Sequence, residues 1–174
     1  MYHLNFDDKS FDIVHAHQVL QHLKKPIDAI REMKRVSKRV VTCREVDYES
    51  WLWYPHNESM QKWKDCYREV CRRNQADSDA GRKVKSWFMA AGFKPEHLET
   101  ISSTVMYSSP DRTKFISESW AKRVSETQLG DQMIKYGLAT RSDVEEMARA
   151  WREWGAKPDA VMFYVDVTVV GRSV

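Results

Sequence analysis

The sequence has few of the features that mark membrane-spanning, secreted or disulfide-stabilised proteins. No apolar run approaches the roughly 20 residues that a membrane-spanning helix needs, and residues 1–5 do not have the pattern of a signal peptide. The three cysteines are odd in number and lack the spacing of a disulfide framework. We therefore expect a cytoplasmic protein without a membrane partner, in a compartment that keeps thiols reduced.

The sequence also does not predict a metal site. Cys66 and Cys71 fall on one predicted helix, but no second pair of ligands follows nearby. Structural zinc sites are typically tetrahedral and take two such pairs. Thiols packed in the core, or close to the surface, are the better interpretation.

The composition fits one globular domain. With 174 residues, of which 42% are hydrophobic, the chain can bury a core of its own. The net charge of +3 permits an acidic partner without requiring one. We expect residues 1–174 to form a single domain.

A buried strand followed by polar side chains lies near the start of the chain. Residues 11–16 carry β-branched Ile13 and Val14 in a short apolar run, which predicts a strand of a parallel sheet. His17 and Gln18 follow where that strand would end. Because ligands bind outside the carboxyl ends of strands in open α/β sheets, these side chains are candidates for ligand contacts.

The next elements predict a βαβ unit. Pro26 is placed at the first position of a helix, and residues 40–43 form a β-rich run after that helix. We expect residues 40–43 to lie beside residues 11–16 as a parallel strand.

Several segments resemble the class I S-adenosylmethionine (SAM)-dependent methyltransferases. They are residues 4–6, 8–14 and 19–23, and the similarity continues into residues 44–48 and then loosely to the end of the chain. The type 11 branch, which includes the ubiquinone and menaquinone biosynthesis enzymes, is the most similar. This resemblance implies SAM-dependent methyl transfer to a small-molecule acceptor.

The resemblance also implies the fold, an α/β architecture with an incomplete Rossmann-like methyltransferase sheet. The chain corresponds to the second half of that sheet: two parallel strands, then a C-terminal antiparallel pair formed by residues 98–108 and 161–169. Residues 109–157 would be a helical insertion that acts as a lid over the acceptor. Alternatively, these helices form a layer that only buries one face of the sheet.

The resemblance places the cofactor on two segments. Leu4 and Phe6 match an element whose backbone lies against the adenine, and His17 and Gln18 match positions near the methionine portion of SAM. His22 matches a histidine that either caps the following helix or contacts the ligand.

Two departures from the family concern this cofactor site. Asn5 replaces a proline, and no Gly-x-Gly pattern occurs anywhere in the sequence. In the family, a glycine-rich turn approaches the methionine portion and an acidic residue holds the ribose, both before the segment that matches Leu4. We therefore expect a truncated methyltransferase domain that, by itself, binds SAM weakly or not at all.

Residues 44–55 are interpreted as a loop that carries several aromatic side chains. Such a loop would line the pocket of a flat or apolar methyl acceptor, or it would cap the core. The candidates for proton removal are Asp47, Tyr48 and His56, and those for substrate binding are Tyr48, Trp51 and Tyr54.

Two other functions remain open. Without the glycine-rich turn, the chain could be a non-catalytic interaction module that retains the methyltransferase fold. A nucleic-acid-binding domain is supported only by the basic helix over residues 62–73, and it is disfavoured because acidic residues are interspersed there.

The resemblance also leaves one side of the strand over residues 11–16 without a neighbour. Asp12 is its only charged residue, and no lysine or proline blunts it. We expect either a homo-oligomer joined at this edge or an edge covered by another segment or by a partner.

Overall fold

The computed structural model describes residues 2–172, which form a mixed α/β structure. The strands are β1 (Phe11–His17), β2 (Ser37–Tyr54), β3 (Leu98–Tyr107) and β4 (Val161–Arg172). The helices are α1 (Pro26–Val36), α2 (Glu58–Arg73), α3 (Val84–Ala90), α4 (Pro110–Glu126), α5 (Gln128–Lys135) and α6 (Arg141–Gly155). Short 3₁₀ turns cover Leu20–His22, Ala80–Arg82 and Pro95–His97.

The four strands form one sheet in the order β1-β2-β4-β3. β1 and β2 are parallel, with Ile13 opposite Val40 and Ala16 opposite Cys43. The predicted parallel pair is therefore confirmed. β3 and β4 are neighbours, as expected for the last two strands.

Residue contacts divide the chain into two compact units. The first comprises Met1–Glu49, Gln75–Thr104 and Val165–Val174, and the second comprises Ser50–Asn74 and Val105–Tyr164. β2, β3 and β4 contribute residues to both. Helices α4, α5 and α6 lie between β3 and β4 in the chain and belong to the second unit. The interpretation of residues 109–157 as an inserted lid stays a prediction. The single domain expected from the composition stays a prediction.

The first unit has a largely aliphatic core. Apolar side chains of β1, β2 and β4 pack with α1 and α3, and the cluster includes Ala16, Ile30, Met33, Val41, Phe88 and Val169. A left-handed glycine follows α3, since Gly92 has φ +91°. This core fixes β1 and β2 beneath the polar residues that follow β1.

The second unit has an aromatic core, which we call the tryptophan core. Its members are Trp51, Trp63, Tyr67, Trp120, Trp151, Trp154 and Tyr164. The Trp63 ring lies edge-on to Trp120 and to Trp151 at centroid distances of 4.6 and 4.7 Å, while Trp51 stacks on Tyr164 at 4.6 Å. Edge-to-face and stacked contacts at these distances are the favourable geometries for aromatic pairs.

One local interpretation of the sequence was wrong. Residues 44–54 are not a loop, because β2 continues to Tyr54. The aromatic side chains there favour a strand as strongly as a pocket wall.

Helix α6 begins with a capping box formed by Thr140 and Asp143. Thr140 Oγ1 accepts the Asp143 N–H at 3.1 Å, and Asp143 Oδ2 accepts the Thr140 N–H at 2.8 Å.

Across residues 2–172, no helix combines the length and the apolar composition that a membrane crossing requires.

Gly155 is the position where the tight approach of α4 and α6 is most easily tested. A Cβ at Gly155 would overlap the Ser117 side chain and would lie 3.0 Å from the Thr113 carbonyl oxygen. Gly155→Ala should therefore lower the free energy of unfolding by about 1–3 kcal/mol, the usual cost of overpacking. Urea denaturation measures this loss. Lys122→Ala, at an exposed position of α4, is the control. Equal stability of the two variants would contradict the close approach.

Candidate functional site

β1 ends at a polar rim in the first unit. His17 is exposed, and its ring lies 6.2 Å from that of His15 on the same strand. Gln18 adopts φ +52°, and its N–H donates to the Arg44 carbonyl at 2.8 Å. The left-handed residue turns the chain away from the strand direction immediately after His17. His17 and Gln18, two of the five residues predicted to contact the cofactor, thus lie where β1 ends.

A buried carboxylate holds the turn that follows. Glu45, on β2, has no solvent-exposed surface. Its Oε1 accepts the N–H groups of Val19 and Leu20 at 3.0 and 2.8 Å, and its Oε2 accepts that of Gln21 at 3.3 Å. This role was not predicted from the sequence. The available signal was an acidic residue between apolar residues directly after a predicted buried strand.

The environment of Glu45 raises its pKa. Burial is the largest cause, and the nearby carboxylate of Asp166 adds to it, while the three backbone N–H groups oppose it. The resulting pKa is about 6, against an ordinary value of 4.5. Desolvation of the charged form therefore outweighs the hydrogen bonds that stabilise it.

Two acceptor atoms near this carboxylate have no hydrogen-bond partner among the described residues. Gln21 Oε1 and Asp166 Oδ1 are both buried and unpaired. The other Asp166 oxygen accepts from Arg44, with its Nε at 2.9 Å and its Nη2 at 2.7 Å. Buried acceptors without donors are costly. An N–H or O–H donor brought by a ligand would satisfy either acceptor.

The segment matched to the adenine element is clamped by Arg35 of α1. The Arg35 guanidinium donates to the carbonyls of Leu4 and Phe6 at 3.1 and 2.9 Å, and it also pairs with Asp8 and Glu32. Glu32 Oε1 accepts the Leu4 N–H at 2.7 Å. The hydrogen bond from Arg35, followed by that from Leu4, lowers the pKa of Glu32 to about 2.

The clamped segment borders a cavity that Arg35 also lines. Phe6 is 53% exposed, and its ring packs edge-on against Phe11 at 4.9 Å. A cavity of about 340 Å³ is lined by residues 3–7, Ser10 and Arg35. Leu4 and Phe6 are thus held in place beside open space, although they lie on a different segment from the polar rim of β1.

The residues predicted for proton removal have different surroundings. Asp47 is buried, and both of its oxygens accept from Arg82, at 2.6 Å from Nε and 2.8 Å from Nη2. This contact raises the pKa of Arg82. Tyr48 is buried, and its N–H donates to the Ser78 carbonyl at 3.2 Å. In the second unit, His56 is exposed, with Nε2 2.9 Å from Glu58 Oε1.

The predicted substrate residues of the second unit also separate by burial. Trp51 is 3% exposed and belongs to the tryptophan core, whereas Tyr54 is 63% exposed. The Tyr54 carbonyl accepts the Trp154 Nε1–H at 3.0 Å. The roles assigned to these residues stay predictions. Within residues 2–172, no group of three or more histidine, cysteine, aspartate or glutamate residues is arranged to hold a metal ion.

Comparisons with known proteins find similarity to methyltransferases. A family model described as a methyltransferase domain matches residues 1–42. Over 98% of its length, the chain is 30% identical to an uncharacterized methyltransferase of Schizosaccharomyces pombe, and it spans 61% of that protein.

Solved structures share the fold. A protein described as a methyltransferase from an antibiotic biosynthesis pathway of Anabaena variabilis matches with a TM-score of 0.54 at 10% identity, covering 99% of this chain and 70% of its own. One described as a methyltransferase of Bacillus halodurans matches with a TM-score of 0.50 at 13% identity, covering 98% of this chain and 73% of its own.

The charge state of Glu45 gives this site a pH dependence. Because the folded-state pKa of about 6 lies above the ordinary 4.5, the folded protein binds this proton more tightly than the unfolded chain does. The free energy of unfolding contributed by Glu45 should therefore fall by about 2 kcal/mol as the pH rises from 4 to 7, at about 1.4 kcal/mol per pKa unit.

Glu45→Gln should remove this fall. Urea denaturation of both proteins at several pH values measures it as a difference curve, in which the contributions of all other carboxylates cancel. Glu96→Gln, at an exposed position, should give a flat difference curve. A flat curve for Glu45→Gln as well would contradict the assignment.

Proposed function

Because the chain is a relative of the class I SAM-dependent methyltransferases and has their mixed α/β fold, we propose that it takes part in SAM-dependent methyl transfer to a small-molecule acceptor. The observation that carries the proposal is the end of β1. There, a parallel strand pair ends in a polar rim, and the buried Glu45 fixes the turn that follows. Since the chain spans 61% of the yeast relative, the activity of the whole protein is part of this proposal.

Cofactor binding is proposed for the residues named from the resemblance. Leu4 and Phe6 would contact the adenine, while His17, Gln18 and His22 would contact the methionine portion. Bound SAM would supply a methyl group on a sulfonium, which is already activated for transfer. The chain would then position the acceptor and exclude water from it.

Proton removal from the acceptor is proposed for Asp47, Tyr48 or His56. His56 has an accessible imidazole, and its Nε2 lies 2.9 Å from the Glu58 carboxylate, so an acceptor could reach this ring. Asp47 is held by Arg82, so its carboxylate also orients that guanidinium. Tyr48, Trp51 and Tyr54 are proposed to contact the acceptor. Tyr54 is the most accessible of these.

A second candidate function is a non-catalytic interaction module. The observation that favours it is the exposure of apolar side chains on β1. Ile13 is 63% exposed and Phe11 is 40% exposed, and β1 has a neighbouring strand on only one side among residues 2–172. An edge with unpaired N–H and C=O groups can accept a strand of another chain.

Titration with SAM tests the cofactor proposal. The sequence has no glycine-rich turn to approach the sulfonium, so we expect a dissociation constant weaker than micromolar, that is, a binding free energy weaker than about −8 kcal/mol. At millimolar SAM, amide chemical shifts should change at residues 4–6 and 17–22. His17→Ala should weaken this binding, whereas His15→Ala should not. Absence of any shift at these residues would contradict the cofactor site, and micromolar affinity would contradict the expected weakness.

We also propose that the free edge of β1 pairs with β1 of a second copy. Light scattering should then show a dimer or larger species, and Ile13→Lys should shift it toward the monomer because a lysine on an edge strand opposes pairing. Ile101→Lys, on the exposed outer strand β3, is the matched control. A monomeric wild-type protein, or equal effects of both variants, would contradict pairing through β1.

A further inference from the structure

Lys64 is a buried cation that the proposed reaction does not use. It lies on the inner side of α2 in the second unit and is 8% exposed. Its Nζ donates to the Trp51 carbonyl at 3.2 Å and lies 5.4 Å from the centre of the Trp53 ring. No carboxylate of the described residues pairs with it.

This arrangement leaves the ammonium group of Lys64 incompletely satisfied. An ammonium has three N–H donors, and a single carbonyl accepts from this one. Burying a charge without a counter-ion costs free energy. Lys62, two residues earlier, shows the usual arrangement, because it is exposed and pairs with Asp143 at 2.7 Å.

A second unsatisfied donor is on the ring that Lys64 faces. The Lys64 ammonium lies over the Trp53 ring, and the Trp53 Nε1–H is buried and has no hydrogen-bond partner among residues 2–172. The rest of Trp53 is half-buried, so the surface is close. Each of these two groups therefore has a donor that a ligand could satisfy. A carboxylate carries the negative charge that complements the ammonium and has two oxygens, one for each donor.

We propose that Lys64 and Trp53 bind the carboxylate of a small monoanionic ligand. A monoanion matches the single cation, whereas a phosphate dianion would leave one negative charge uncompensated beside aromatic rings. The backbone carbonyl of Trp51 accepts a hydrogen bond from the Lys64 ammonium and so holds it in position. If the proposed function holds, this ligand is the methyl acceptor, and the acceptor carries a carboxylate.

Benzoate is the probe, and benzamide is its neutral counterpart of similar shape. We expect benzoate to bind the wild-type protein and to shift the Trp53 indole N–H resonance downfield, as a new hydrogen bond does. Lys64→Met should weaken benzoate binding at least tenfold, Lys64→Arg should retain most of it, and Trp53→Phe should weaken it several-fold. Lys122→Met, at an exposed position of α4, should leave it unchanged.

The melting temperature separates binding from a structural role. Without benzoate, Lys64→Met should melt no lower than the wild type, because it removes a buried charge that lacks a counter-ion. A lower melting temperature would overturn the proposal by showing that the ammonium serves the fold. Equal benzoate affinity of Lys64→Met, equal affinity for benzamide, tighter binding of inorganic phosphate, or no benzoate binding to the wild type would each overturn it as well. No SAM is present, so failure of the cofactor site leaves these outcomes unchanged.

Discussion

The hydrogen bonds from three consecutive backbone amides to Glu45 are the constraint on which the first unit's site depends. They join β2 to the turn after β1, so the rim formed by His17 and Gln18 cannot move independently of the sheet. These hydrogen bonds require a fully buried carboxylate. Because its charged form is poorly solvated there, the pKa of Glu45 is raised. The nearby carboxylate of Asp166 adds to this rise, and one of its oxygens is buried without a hydrogen-bond partner among the described residues.

Local patterns in the sequence predicted the elements of this fold, but they did not predict which side chains distant in the sequence would pair. The apolar run over residues 11–16 and the helix starting at Pro26 sufficed to predict the parallel pair, because such a connection permits little else. The extent of β2 did not follow, since aromatic residues suit a strand and a pocket wall equally well. The partners of Glu45, and the pairing of Asp47 with Arg82 across 35 residues, depend on tertiary placement that no periodicity encodes. For the same reason, the burial of Trp51 and the exposure of Tyr54 emerged only from the structure.

The cores of the two units are built from different kinds of side chain. Aliphatic side chains in the first unit carry no polar atoms, so its core makes no hydrogen-bonding demands. Each tryptophan in the second unit brings an indole N–H into the interior, and those of Trp63 and Trp151 have no acceptor among the described residues. An aromatic core of this kind gains contact area at the expense of unsatisfied donors. The aliphatic core of the first unit does not bear this cost.

The clamp at Arg35 holds the backbone of residues 4–6 whatever side chains that segment carries. Arg35 contacts the main-chain carbonyls of Leu4 and Phe6, and Glu32 contacts the Leu4 amide, so neither requires particular side chains on that segment. The shape of the segment and the chemistry that it presents are thereby uncoupled. Substitutions at positions 4 to 6 can alter what the exposed surface binds while the backbone stays in place, whereas positions 32 and 35 have no such latitude. A planar guanidinium with five donors has no equivalent among the other side chains.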